Sequence, residues 1–221
     1  MTWLDVATSE ILEHLQNKIF SSTRKTVLLT GGYTAQKLYV HLSLEKLFSE
    51  YTVDFYFGDE RCVLPEDPES NYGMVMNTLF NSGIPENCTV HRIVGEAADV
   101  VEEASRYAST LPDALDVVLL SIGEDGHIAS IFPGSDTITE EALSVCHISA
   151  PKLPSKRFTI TPKVLKSAKK IIVLACGTEK GKVLAKALKQ PKNAQELPIA
   201  IVMGMHQTTI ILDKEASEQL Y

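Results

Sequence analysis

The sequence is poor in several things, and each shortage narrows what the protein does. No apolar run reaches the roughly 18 residues of a membrane-spanning helix, so no membrane partner is expected. Basic residues are outnumbered: 21 Lys and Arg stand against 28 Asp and Glu, a formal net charge of −7. A general nucleic-acid binder needs a basic face, and this balance argues against one. Cysteine is scarce and scattered, at Cys62, Cys88, Cys146 and Cys176, with no CxxC and no Cys/His cluster of zinc spacing. That pattern reads as reduced thiols, and it predicts no metal site. Met1-Thr2-Trp3-Leu4-Asp5 lacks the basic and apolar regions of a signal peptide, so a cytoplasmic location is expected. A P-loop, a GxGxxG fingerprint and a Gly-x-Ser-x-Gly elbow are all missing. Neither a nucleotide cofactor nor a serine nucleophile is therefore predicted, and no other cofactor is called for. The sequence leaves a monomer and a dimer both open.

What is present is a globular balance: 221 residues, 44% hydrophobic and 22% charged. This is enough for one large α/β domain over residues 1–221, and short for two. Leu4 to Phe20 reads as an amphipathic helix, with Ile11, Leu12, Leu15 and Ile19 at three- and four-residue steps. Short apolar strands are predicted at Lys25–Thr30, Thr52–Phe57, Ala114–Ser121, Lys170–Ala175 and Thr208–Leu212. Weaker strands are expected within 86–94, at Leu143–Ser149 and at Arg157–Thr161. Helices are predicted at Thr34–Phe48, Asn71–Phe80, Ala97–Thr110 and from Thr178 to about Leu188. The alternation predicts a doubly wound, mostly parallel sheet with helices on both faces, Rossmann-like in architecture. Ligands of such folds bind beyond the carboxyl ends of the strands.

Four polar motifs fall at those strand ends. Gly31-Gly32-Tyr33-Thr34 joins a strand to a helix, which suits phosphate at the helix N-terminus or an ordinary turn with Thr34 as N-cap. Asp59-Glu60-Arg61 offers a guanidinium fork for an anion, or a surface ion pair. Asp125-Gly126-His127 supplies an imidazole able to take a proton near neutral pH, or a cap for a helix beginning near Ile128. Gly177-Thr178-Glu179-Lys180 puts a cation in a first helical turn, a placement that makes sense if Lys180 meets an anion. Arg157 is a further cationic candidate. His14, His41, His91, His147 and His206 have no motif around them and read as structural or surface residues.

Taken together, these segments resemble the 6-phosphogluconolactonases. Thr30-Gly31-Gly32-Tyr33-Thr34-Ala35 is similar to that family's Gly-Gly-Ser-Thr-Pro segment, with Tyr33 for Ser and Ala35 for Pro. Asp59-Glu60-Arg61 followed by Ser70-Asn71 resembles its Asp-Glu-Arg…Ser-Asn block. Gly123 to Gly134 (GEDGHIASIFPG) is similar to its Gly-x-Asp-Gly-His-x-Ala-Ser-x-Phe-Pro signature. Pro154 to Thr159, Gly177 to Lys180, Leu197-Pro198 and Leu212-Asp213 resemble later segments in the same order. The resemblance implies hydrolysis of 6-phospho-D-glucono-1,5-lactone in the oxidative pentose phosphate route. Two alternatives share the fold: glucosamine-6-phosphate deaminase/isomerase chemistry and a non-catalytic sugar-phosphate sensor. The deaminases carry a glutamate shortly after Asp-Gly-His, and its place here falls on Phe132, which cannot shuttle protons.

In this expectation His127 is the general base towards water, and Asp125 and Asp59 orient neighbours or bind sugar hydroxyls. Arg61, Arg157 and Lys180, with Gly31, Gly32 and Thr34 backbone donors, are the candidates for the 6-phosphate. Arg61 is also a candidate for the reacting carbonyl. The expected partner is a small phosphorylated sugar lactone.

Overall fold

The computed structural model describes residues 2–16 and 24–221. The strands are β1 (Arg24–Leu29), β2 (Thr52–Phe57), β3 (Asp59–Arg61), β4 (Cys88–Val90), β5 (Val117–Ser121), β6 (Val145–Ser149), β7 (Lys156–Ile160), β8 (Ile171–Ala175) and β9 (Thr208–Leu212). The helices are α1 (Trp3–Gln16), α2 (Tyr33–Leu44), α3 (Asn71–Thr78), α4 (Val100–Thr110), α5 (Pro162–Ser167), α6 (Thr178–Lys189), α7 (Ala200–Met203) and α8 (Lys214–Ser217).

Six strands form a wholly parallel sheet in the order β4-β2-β1-β5-β8-β9, with helices around it. The expected α/β architecture is thus present. β5 and β8 are neighbouring interior strands and read as unbroken apolar runs, Val117-Val118-Leu119-Leu120 and Ile171 to Ala175, all buried. Strands covered on both faces read in this way. The chain leaves β1 towards β2 on one side and returns to β5 on the other. The order therefore reverses between β1 and β5, and a crevice opens beyond their carboxyl ends.

Several boundaries differ from the sequence expectation for local reasons. α1 buries Ala7, Ile11 and Leu15 as its periodicity requires; the rest of the expected helix, 17–20 with Ile19, lies outside the described residues. α2 stops at Leu44, because Lys46 turns left-handed (φ 48°) before a short 3-10 turn at Leu47–Glu50. α4 begins at Val100, where the Asp99 carboxylate caps the Val101 and Glu102 N–H groups. No helix follows Ile128, which instead forms isolated bridges with Ile122 and Ile131.

A second sheet has no counterpart in the expectation. β3, β7 and β6 pair antiparallel in the order β3-β7-β6. Asp59-Glu60-Arg61, read as the loop after a strand, is itself a strand whose register sets Arg61 opposite Arg157. This small sheet carries one wall of the crevice.

Candidate active site

Residues from all four strand-end motifs meet beyond the β1/β5 reversal. They line a cleft of about 280 Å³, to which Gly31 and Gly32, Asp59 and Arg61, His127, Arg157 and Lys180 contribute. Larger hollows of about 440 and 460 Å³ lie at Glu66–Ser70 and beside β6. Neither brings an imidazole together with several cations, so chemistry rather than volume selects the smaller cleft.

His127 stands on the turn after β5. Its Nδ1 is hydrogen-bonded to Asp125 Oδ1, and its ring lies against Phe132 with centroids 4.6 Å apart. The backbone clamps this turn, with Gly123 N donating to the His127 carbonyl at 2.9 Å. Gly123 is needed because a Cβ there would sit 2.1 Å from the imidazole. Burial opposes the charge on Asp125, but hydrogen bonds from His127 and Lys152 outweigh it and hold the carboxyl well below the usual carboxylate range. An ionised Asp125 only accepts, so Nδ1 carries the hydrogen, and in the neutral form of the ring Nε2 is the nitrogen with the lone pair. His127 is therefore not a helix cap.

Asp59 is 4% exposed, and its carboxylate accepts from Asn71 Nδ2 (3.1 Å) and Ser130 Oγ (2.7 Å). Glu60, 2% exposed, is no surface ion-pair member. It accepts from the backbone N of Arg61 (2.8 Å), Asn71 (2.7 Å) and Tyr72 (2.7 Å), and so caps α3 from outside. Burial pushes its carboxyl up against these three donors. Arg61 does form an ion pair, but with Glu69, at 3.1 Å, and it also donates to the Glu69 carbonyl at 2.6 Å.

Arg61 and Arg157 face each other across β3 and β7. Like charges directly opposed in an antiparallel pair are destabilising on their own. Burial and then Arg61 lower the pKa of the Arg157 guanidinium. It is held by the Pro154 and Leu153 carbonyls at 2.8 and 3.3 Å and lies 5.5 Å over the Phe132 ring. Two guanidinium groups so placed can together hold an anion.

Lys180, in the first turn of α6, donates to the hydroxyls of Thr34 and Ser121, each at 3.0 Å. Burial lowers its pKa, and these partners are neutral. Thr34 does not cap α2. The N-cap is Gly32, at φ 90° and ψ 167°, a conformation that disfavours any side chain, and the Thr34 hydroxyl is turned to Lys180 instead. Gly32 and Tyr33, where α2 begins, line the same cleft, and the first N–H groups of a helix have no intrahelical partner.

Two neighbours have no motif of their own in the sequence: Ser121, visible only as the end of an apolar strand, and Lys152, which lies 2.8 Å from Asp125 Oδ2. Ser130, fully buried between Asp59 and Arg157, lies within the Gly123–Gly134 segment, and its spacing from His127 was the available signal. The five other histidines lie outside the cleft lining. His91 stacks on Tyr56, with centroids 4.6 Å apart, and His147 meets Phe158 edge-on. All four cysteines are unpaired, and burial raises each thiol, Cys176 to about 11. Among the described residues no three His, Cys, Asp or Glu side chains gather as metal ligands, and no helix is long and apolar enough to cross a membrane.

Comparison with known proteins gives a consistent result. The family described as glucosamine-6-phosphate isomerases/6-phosphogluconolactonase matches residues 3–211. The chain is 35% identical over 212 residues to 6-phosphogluconolactonase 4 of Saccharomyces cerevisiae, covering 86% of this chain and 82% of that one. It is 32% identical over 203 residues to the 6-phosphogluconolactonase of Aggregatibacter actinomycetemcomitans, covering 88% and 87%. The fold superposes on 6-phosphogluconolactonase from Trypanosoma cruzi with a TM-score of 0.82 at 29% identity, covering 99% of this chain and 92% of that one.

Proposed function

This chain belongs to the glucosamine-6-phosphate isomerase/6-phosphogluconolactonase family, and from that premise we propose that its cleft hydrolyses 6-phospho-D-glucono-1,5-lactone to 6-phospho-D-gluconate. A place in the oxidative pentose phosphate route and a cytoplasmic location go with that reading. The observation that carries it is the meeting of an Asp125-oriented His127 with three cations in one cleft.

The reaction follows from that arrangement. Nδ1–H of His127 is committed to Asp125, so Nε2 takes a proton from water as the oxygen attacks the lactone C1. Negative charge builds on the carbonyl oxygen. Arg61 and Arg157 supply positive charge to that oxyanion and to the 6-phosphate. Lys180 and the free N–H groups of α2 form the rest of the phosphate site, beside neutral hydroxyls that leave the ammonium charge uncancelled. The C1–O5 bond then breaks, imidazolium returns its proton to the ring oxygen, and the new carboxylic acid ionises. No covalent enzyme intermediate is involved.

Deaminase chemistry fits less well. The position at which the deaminases carry a proton-handling glutamate is Phe132, 1% exposed and wedged between the His127 ring and Arg157. The deciding experiment is a rapid assay with fresh phosphogluconolactone, corrected for spontaneous opening, beside unphosphorylated gluconolactone and glucosamine 6-phosphate. Losing one charge-assisted contact costs about 1.5–3 kcal/mol, so the unphosphorylated lactone is expected to lose at least about tenfold in kcat/KM. Equal rates on the two lactones would remove the phosphate assignment. Ammonia release comparable to lactone hydrolysis would transfer the protein to the deaminase reading.

A further inference from the structure

The Asp125 carboxylate is shared between two parts of the chain. Oδ1 accepts from the His127 ring and, at 3.3 Å, from the His127 backbone N, while Oδ2 lies 2.8 Å from Lys152 Nζ. Lys152 belongs to the turn between β6 and β7. The carbonyls of its next two residues, Leu153 and Pro154, accept from the Arg157 guanidinium. The turn is thus anchored at both cleft-facing groups, and its lysine meets the one carboxylate that holds the imidazole. Lys152 is not among the cleft-lining residues, and its side chain is 47% exposed, so it is not positioned to bind substrate.

The chemistry gives this contact a purpose. A carboxylate hydrogen-bonded to an imidazole orients it, but its charge also favours imidazolium. Imidazolium cannot take a proton from water. Resting on the reading of His127 as the base, we propose that Lys152 is a positioning residue for lactone hydrolysis: its ammonium anchors Oδ2 and offsets the Asp125 charge, so that the imidazole is oriented yet stays neutral. The other charges lining the cleft with His127 are Asp59 and Arg61 from β3, Glu124 from its own turn, Arg157 from β7 and Lys180 from α6. These stay constant when Lys152 alone is changed.

The test compares the full-length wild type with Lys152→Met and Lys152→Arg. The His127 imidazole is titrated by NMR, its signal identified by its loss in His127→Ala, and the kcat–pH profile is measured with the uncatalysed rate subtracted. In Lys152→Met the imidazole midpoint is expected to rise by about 0.5–1 pH unit, carrying the acid limb of kcat with it. At pH 6, from a reference imidazole midpoint of about 6.5, this is a loss of about 3–8-fold in kcat that closes towards pH 8.5, with KM within about twofold. Lys152→Arg keeps the charge and is expected to follow the wild type. An imidazole midpoint that stays put or falls in Lys152→Met overturns the proposal, even if kcat drops uniformly, since a merely structural lysine would do that. An active His127→Ala overturns the base assignment and this proposal with it. An inactive His127→Ala with an unmoved midpoint in Lys152→Met overturns this proposal alone.

Discussion

In the proposed reaction His127 must accept a proton and Lys180 must keep its own, and pH separates these two side chains of one cleft. If His127 is the base, His127→Ala lowers kcat by about 10²–10⁴-fold with an unchanged circular dichroism spectrum. Retention of more than half the rate would return His127 to a structural role. Lys180 behaves in the opposite sense. Burial lowers its pKa, so its charge is lost at a lower pH than that of a free lysine, about 10.4. Calorimetric affinity for 6-phosphogluconate is therefore expected to weaken below that pH as alkali is added, and Lys180→Met to bind weakly at every pH. A wild-type affinity that is flat up to pH 10.4 would contradict this. Asp125 adds a stability signature. Its folded pKa is depressed, so its stabilisation is full above the unfolded value, about 3.9, and is lost as pH falls through the lower folded value. The urea midpoints of wild type and Asp125→Asn should differ at pH 7 and draw together in acid, and a constant gap would argue against an ion-paired Asp125.

At the scale of elements, Glu60 shows how β3 and α3 are joined. Its buried carboxylate takes N–H groups from both, including Asn71 and Tyr72 at the start of α3. Asn71 in turn donates to the Asp59 carbonyl and carboxylate, at 2.9 and 3.1 Å, so cap and cleft wall are one hydrogen-bonded unit. Glu60→Ala leaves three N–H donors, one buried and two part-buried, without their acceptor. Each orphan costs about 1–3 kcal/mol, so a loss of at least 2–3 kcal/mol in urea unfolding is expected. A change under 0.5 kcal/mol, roughly the scale of an ordinary surface substitution, would mean that α3 does not depend on this cap. The β3–β7 pairing is the other joint. It opposes Arg61 and Arg157, like charges that repel across an antiparallel pair.

Over the whole molecule an acidic chain surrounds a cationic cleft. The net charge is −7, yet Arg61, Arg157 and Lys180 converge on one hollow beside Asp59 and Glu124. Attraction of a phosphorylated substrate is then local and works against the general field. The Debye length falls from about 10 Å at 0.1 M salt to about 3 Å at 1 M. KM for phosphogluconolactone is therefore expected to rise with ionic strength and that for gluconolactone to stay level. Parallel responses of the two substrates would show that phosphate attraction is not at work.

The parallel sheet was legible in the sequence because its signal is local. Val117 to Leu120 and Ile171 to Ala175 are apolar runs long enough to be strands, and each ends at a glycine-bearing turn. The strand-end rule then brought Gly31, Asp59, His127 and Lys180 towards one crevice without any coordinates. Asp59-Glu60-Arg61 gave no such signal as a strand. It is three charged residues with no apolar alternation, and its partner β7 lies nearly a hundred residues away. Separation along the chain likewise hid the Lys152–Asp125 contact, between residues 27 positions apart, and the turn of Thr34 towards Lys180, 146 residues apart. Composition and periodicity determined the α/β class, the strand-end motifs and the residue types available for chemistry, since these depend on neighbours within a few positions. Which oxygen of Asp125 faces the imidazole, which hydroxyls meet Lys180 and which arginines oppose each other were decided by tertiary structure, because hydrogen bonds and charges act over ångströms in space, whatever the separation along the chain.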